Sequence, residues 1–367
     1  MEGGALLDYG TFGCVFDPPL KCSGRPGADS ASHKVGKLGE RIDIRNELQA
    51  SKVLSGIANS KEYFVLADLK SVCTYDKIVK DPVAKKDIKE CTIECKTLRE
   101  HGTSQTIYYS MPFGGISIEK FFGGIVKGAK REPLHPRVVI THLLEACAEL
   151  ALNNYVHYDL HGGNILFDEK TRLPRLIDFG MSFSPNIIDK DFLANNWKTY
   201  GPVHPVEPPE ITIITGINNG MSFDQAFDEV LHKKIPLKMA RSILKSPMNL
   251  QRKTFLEFWR TSQSAKKGDW VAFFKFYWPA FDSWSVGGII MKFLFSFSMN
   301  PVYTEREDWI DTRFDITSLL TGLLQMSPTR RLDCVEALSI YDPGNRVVSS
   351  VSGKAWLKEK RAIREAS

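Results

Sequence analysis

The sequence predicts an α+β protein in which a small β-rich part precedes a larger helical one. Three observations carry that expectation. Strand-like segments cluster early, at 6–16, 34–38, 63–69 and the start of 106–116, set off by glycine and polar turn formers. Helical spacing of apolar residues dominates afterwards, in 135–154, 223–232 and 237–244. The length of 367 residues suits two domains, or one two-lobed domain with insertions.

Composition narrows the class. An apolar fraction of 43% supports a large core, and 25% charged residues is ordinary for a soluble globular chain. Lys and Arg outnumber Asp and Glu by 48 to 43, a net charge of +5, far from a nucleic-acid-binding balance. The seven cysteines (14, 22, 73, 91, 95, 147, 334) are odd in number and follow no regular framework, which predicts reduced thiols in a cytosolic or nuclear setting. Residues 1–7 lack a basic region ahead of an apolar core, so no signal peptide is expected. The most apolar run, 286–299, is too short to span a bilayer and contains Lys292, so it reads as a buried helix. No membrane or nucleic-acid partner is expected.

Residues 6–16 read as strand, glycine turn, strand. Gly10 and Gly13 let the backbone approach phosphates without a Cβ in the way, with Phe12 at the turn tip. Turn formers fill 22–33, then Lys34-Val-Gly-Lys37-Leu reads as a strand whose alternation puts Lys34 and Lys37 on different faces. Residues 40–57 form an amphipathic helix with Ile44, Leu48 and Leu54 on or near one face. Glu47 borders that face and is the expected partner of Lys37, with Glu40 the alternative. In the lysine-rich stretch 73–101, Cys73, Cys91, Cys95 and His101 invite a zinc reading. Their spacing fits no common finger or ribbon, so scattered thiols are the expectation. Residues 106–116 run from a strand into a glycine turn, and 135–154 form one long helix burying Val139, Leu143, Ala146 and Leu150.

That helix delivers the chain to 157–180, His-Tyr-Asp-Leu-His-Gly-Gly-Asn-Ile-Leu-Phe to Leu-Ile-Asp-Phe-Gly. Asp159 and Asn164 lie five positions apart on a loop, 165–167 is a short strand, and a polar turn leads to Asp178. A hairpin of this kind brings Asn164 and Asp178 to one end with Asp159 beside them. Phosphoryl transfer needs such a set: a carboxylate to accept a hydroxyl proton, plus an amide oxygen and a second carboxylate for Mg²⁺.

The stretch resembles the protein-kinase catalytic loop H-R-D-x-x-x-x-N followed by D-F-G. Further elements follow in kinase order, and the resemblance covers about residues 5–340. It implies a bilobal kinase fold, ATP and Mg²⁺ (Mn²⁺ as an alternative), and a role for each matched residue. Gly10, Phe12 and Gly13 would cover the phosphates and Val15 would pack on adenine. Lys37 matches the lysine of V-A-I-K and would contact the phosphates, paired with Glu47. Residues 106–116 resemble the interlobe hinge, with Met111 as gatekeeper, the Pro112 carbonyl and the Gly114 N–H holding adenine. Asp159 would be the catalytic base, and Asn164 and Asp178 the metal ligands. Pro208-Pro209-Glu210 resembles A-P-E, 281–288 resembles D-x-W-S-x-G, and 326–338 resembles D-P-x-x-R…E-A-L. By that match Glu210 and Arg331 form a buried ion pair, and His157 and Asp282 are structural.

The wording Y-G-T-F-G-C-V-F-D-P-P-L-K-C and H-Y-D-L-H-G-G-N-I-L looks like the serine/threonine kinases of large nucleocytoplasmic DNA viruses. Three positions depart from the pattern. Tyr158 replaces the arginine that grips a phosphorylated activation loop, His161 replaces the lysine that contacts the transferred phosphate, and Asp8 replaces the first loop glycine. The expected function is therefore a cytoplasmic, monomeric serine/threonine protein kinase acting on a protein substrate. A small-molecule kinase of aminoglycoside or choline type and a kinase-like scaffold are the alternatives. The expected bounds are an N-lobe at 1–111, a C-lobe at 112–345 with a helical insertion at 211–280, and a basic tail at 346–367. In the insertion, Arg252, Lys253, Arg260, Lys266 and Lys267 interleave with Phe255, Phe258 and Trp259. These suggest either a docking surface for an acidic partner, or aromatics covering the lobe beneath solvated charges.

Overall fold

A computed structural model describes residues 4–10, 13–24, 33–126, 134–168 and 170–366. Phe12 lies outside the described residues. The chain divides into two compact units, one of residues 1–115 with 175–182, the other of 116–174 with 183–367.

The first unit is built on an antiparallel sheet of five strands: β1 (Ala5–Tyr9), β2 (Gly13–Asp17), β3 (Lys34–Glu40), β4 (Asp68–Thr74) and β5 (Thr106–Pro112), in spatial order β1-β2-β3-β5-β4. Strand alternation sorts its side chains. Cys14, Phe16, Leu38 and Tyr108 point into one core, where the helix Pro82–Glu94 adds Ala84, Ile88 and Cys91. That helix starts where Asp81 accepts a hydrogen bond from the Ala84 N–H at 2.9 Å and Pro82 takes the first helical turn. The opposite face carries Lys37 and Tyr109 beside the helix Arg41–Leu54, which buries Ile44, Glu47, Ala50, Ser51 and Leu54.

The cysteine expectation is overturned here. Cys14 is bonded to Cys91 and Cys22 to Cys73, with Cα atoms 5.9 and 6.5 Å apart. Cys14 sits on β2 and Cys91 on the helix packed across that face, a juxtaposition that spacing along the chain does not encode. Cys95, Cys147 and Cys334 remain buried thiols. No zinc constellation forms: Cys73 and Cys91 are bridged, and His101 lies 2.9 Å from Glu40. Among the described residues no group of His, Cys, Asp and Glu is arranged to hold a metal ion.

The second unit is mostly helical. A short ladder pairs β6 (Ile116–Ser117) with β7 (Ile165–Phe167), Ile116 opposite Phe167. The helix Pro136–Leu152 buries Val139, Leu143, Ala146 and Leu150, and Phe281–Ser298 is buried along nearly its whole length. Among the described residues no helix is long and apolar enough to cross a membrane.

Residues 211–280 fold into this unit. The helix Phe223–Lys233 opens with a reciprocal capping box between Ser222 and Gln225, and Met248–Thr261 packs against it. Phe255 and Phe258 are buried. Phe223, Phe227, Phe255 and Trp259 stack with centroids 4.8–5.7 Å apart, so the aromatics of the basic stretch cover the lobe. Lys253, Arg260, Lys266 and Lys267 are exposed, while Arg252 pairs with Asp228 at 2.5 Å. Lys234 is fully buried and donates to the carbonyls of His204 and Glu207 and to the Thr212 hydroxyl, at 2.9–3.0 Å. The tail helix Val351–Ala366 is anchored by Trp356, whose Nε1–H donates to Asp333 at 2.9 Å.

Candidate active site

The first unit gathers one cluster. Val15, Lys37 and Tyr109 stand opposite one another on β2, β3 and β5, so their side chains share one face. Gly36 makes this packing work from the other face, where a Cβ would come within 1.9 Å of the Tyr108 hydroxyl. Lys37 donates to Glu47 Oε1 and, at 3.2 Å, to Asp178 Oδ1. The Tyr109 hydroxyl donates to the other Glu47 oxygen. Lys34 pairs instead with Asp68 at 3.2 Å, and Glu40 lies beside His101, so neither alternative partner competes.

Two carboxylates thus share one ammonium. Burial works against the charged Lys37, yet Asp178 and Glu47 outweigh it and raise its pKa. Burial pushes Glu47 up to about 7, with the Asp178 charge adding to the rise against the pull of Lys37 and Tyr109. Asp178 has left-handed backbone, φ 61°, and its side chain is 40% exposed. The next two residues hold the turn: Phe179 is buried edge-on against Phe64 at 5.8 Å, and the Gly180 carbonyl accepts from Asn46 Nδ2 at 3.0 Å. Gly10 and Gly13 close the β1–β2 turn through a 2.9 Å backbone bond. Met111 and Pro112 end β5, opposite Val35 and Lys34, and Gly114 follows with its carbonyl 3.4 Å from Arg175 Nη2.

The second unit builds the other cluster. Asp282 Oδ2 and Oδ1 accept the backbone N–H groups of His157 and Tyr158 at 2.7 and 2.9 Å. Those bonds hold Tyr158 at φ 65° and turn the chain sharply into Asp159. Asn164 Nδ2 donates to the Asp159 carbonyl at 2.9 Å and lies 3.4 Å from its Oδ2. His161 accepts the Gly163 N–H on Nδ1 at 3.1 Å, while its Nε2 is 3.9 Å from Asp159 Oδ2. Gly162 is required by Glu119, whose Cγ would lie 2.4 Å from an added Cβ. Lys198, which sequence reasoning passed over, donates to the Tyr158 carbonyl at 2.5 Å and to Asp159 Oδ1 at 3.2 Å.

Further from these groups, Glu210 and Arg331 form a bidentate pair at 2.8 Å with both side chains fully buried. Arg331 also donates to the carbonyls of Ala280, Gln325 and Met326.

Residues 116–201 match the family model described as the ABC1 atypical kinase-like domain. Over those residues the chain is similar to a kinase-like domain. The match runs from β6 through the Asp159–Asn164 loop, Asp178 and Lys198, and stops short of Glu210. It does not reach Lys37 or Glu47. No curated protein matches the chain.

Proposed function

We propose that the chain is an ATP-dependent serine/threonine protein kinase. The observation that carries the reading is the Lys37–Glu47–Asp178 cluster, three residues from distant segments brought into hydrogen-bond contact. A buried lysine aimed by a helix carboxylate, with a second carboxylate beside it, is what nucleotide positioning needs. The oxygen donors of Asp178 and Asn164 suit Mg²⁺, which when bound would neutralise charge on the phosphate oxygens. Asp159, its carboxylate partly exposed and oriented from both sides, would accept a hydrogen bond from the substrate hydroxyl and take its proton. Met111, Pro112 and Gly114 would hold adenine, and Gly10, Gly13 and Val15 would cover the nucleotide.

The closed Glu210–Arg331 pair supports a protein substrate, because in the resemblance it belongs to the peptide-binding lobe. A small-molecule kinase is the second reading, favoured by His161 and by the likeness of 116–201 to an atypical kinase-like domain. We take the working state to be a monomer. The cytoplasmic setting inferred from the cysteine count loses that support, since four of the seven cysteines are paired. The viral likeness rests on the motif wording alone.

Labelled ATP offered with mixed proteins and with a panel of small hydroxyl compounds tests the reading. Label should pass to serine or threonine, and Asp159→Asn should lower kcat about 10²-fold or more with nucleotide binding intact. Label on a small molecule alone would establish the second reading. Loss of nucleotide binding in Asp159→Asn would refute its role as the base.

A further inference from the structure

We infer that Lys198 is the positioning residue for Asp159, supplied from the segment after D-F-G. The inference rests on the kinase reading above. Lys198 has three N–H donors and the structure engages its ammonium on three sides. One bond goes to the Tyr158 carbonyl at 2.5 Å, one to Asp159 Oδ1 at 3.2 Å, and the Tyr158 ring lies 4.6 Å away, in cation–π range. The side chain is 11% exposed, so these contacts are shielded from solvent. His161, where the kinase pattern has lysine, does not substitute for it. Its Nε2 is beyond hydrogen-bond distance of Asp159 and its Nδ1 is engaged by Gly163.

Asp159 is consequently oriented from two sides. Lys198 holds Oδ1, Asn164 approaches Oδ2, and the carboxylate remains 31% exposed for an incoming hydroxyl. The support behind Lys198 is aromatic and permanent. Tyr158 is buried against Phe183, Phe274 and Phe281, and Trp197 meets Phe274 edge-on at 6.0 Å. A chain that has lost the phosphate-gripping arginine at 158 thus uses the same position as a platform for a lysine. The segment carrying Lys198 is seated by packing, with no modification needed to bring the cation in.

The test uses the full chain, labelled ATP and a casein–histone mixture. Lys198→Met, near-isosteric and uncharged, should lower kcat roughly 10²-fold while KM for ATP stays within about threefold. The double variant Lys198→Met/Asp159→Asn should be no slower than Asp159→Asn alone, because both changes remove one function. A Lys198→Met enzyme with wild-type kcat, or losses that multiply in the double variant, would overturn the inference while leaving the kinase reading intact. Wild-type protein that transfers no label, or Asp159→Asn as fast as wild type, would defeat the kinase reading and the inference with it. Should Lys198→Met melt below the assay temperature, Lys198→Gln decides by the same criteria. If neither variant folds, Lys198 is a folding residue and the inference is wrong.

Discussion

Two buried ion pairs, one in each unit, use the same chemistry to different ends. Arg331 and Glu210 are completely enclosed, matched two oxygens to two nitrogens, and the remaining guanidinium donors end on backbone carbonyls. Lys37 and Glu47 are almost as buried but left unbalanced. A second carboxylate, Asp178, competes for the ammonium, and burial pushes Glu47 up to about 7. A saturated pair has nothing left to bind and serves the fold. In the unbalanced pair one ammonium is divided between two carboxylates, and burial favours the neutral form of one of them.

The comparison can be broken first at its closed member. Arg331→Ala leaves a buried Glu210 charge unpaired and should cost about 3–5 kcal/mol, seen as a large fall in melting temperature. An unchanged melting temperature would remove the distinction between the pairs. Glu47→Gln probes the open member. A neutral group suits a site whose burial already favours protonation, so thermal stability should change little, by about 1 kcal/mol or less. Its kcat/KM for ATP should nevertheless fall about tenfold or more, because Lys37 loses the partner that aims it. A variant that melts early yet turns over normally would reverse the assignment.

Lys234 sharpens the boundary between the two kinds, since neutral oxygens alone accept its hydrogen bonds. Burial pulls its ammonium down to about 8, with Glu207 and Glu210 opposing the fall. A lysine whose folded value lies below its unfolded one destabilises the fold while charged, and stability returns as pH rises from about 8 toward 10.5. Denaturation between pH 7.5 and 9.5 should therefore show a gain of about 2 kcal/mol that Lys234→Met lacks. An equal slope in both proteins would mean that Lys234 stays charged throughout.

The parts of this arrangement legible in the sequence are those held by short-range order. Strand alternation separated Lys37 from Lys34, helix spacing put Glu47 on the border of the buried face, and the Asp159–Asn164 interval is a single loop. Glu210 and Arg331 were reachable because each sits in a multi-residue motif. The missed features depend on which surfaces face each other. Cys14 and Cys91 meet only once a helix lies across β2. Tyr109 reaches Glu47 only through the register of β3 and β5. Lys198 is a lone lysine 39 positions from Asp159, with no periodic signal to mark it. The insertion aromatics read equally well as surface or core from the sequence, and the stacking of Phe223, Phe227, Phe255 and Trp259 depends on which helices meet.

The nested disulfides have a mechanical consequence. Cys22–Cys73 lies wholly inside the loop closed by Cys14–Cys91. A chain pulled by its two ends would pass tension directly from residue 14 to residue 91, and β3 with Lys37 and the Glu47 helix would bear none of it. The 77-residue separation corresponds to roughly 270 Å of contour length, at about 3.5 Å per residue, withheld from extension. Single-molecule stretching in oxidising buffer should record a contour shorter by that amount. Thiol reductant should then release it in two steps, the outer bridge freeing the shorter length and the inner bridge the longer.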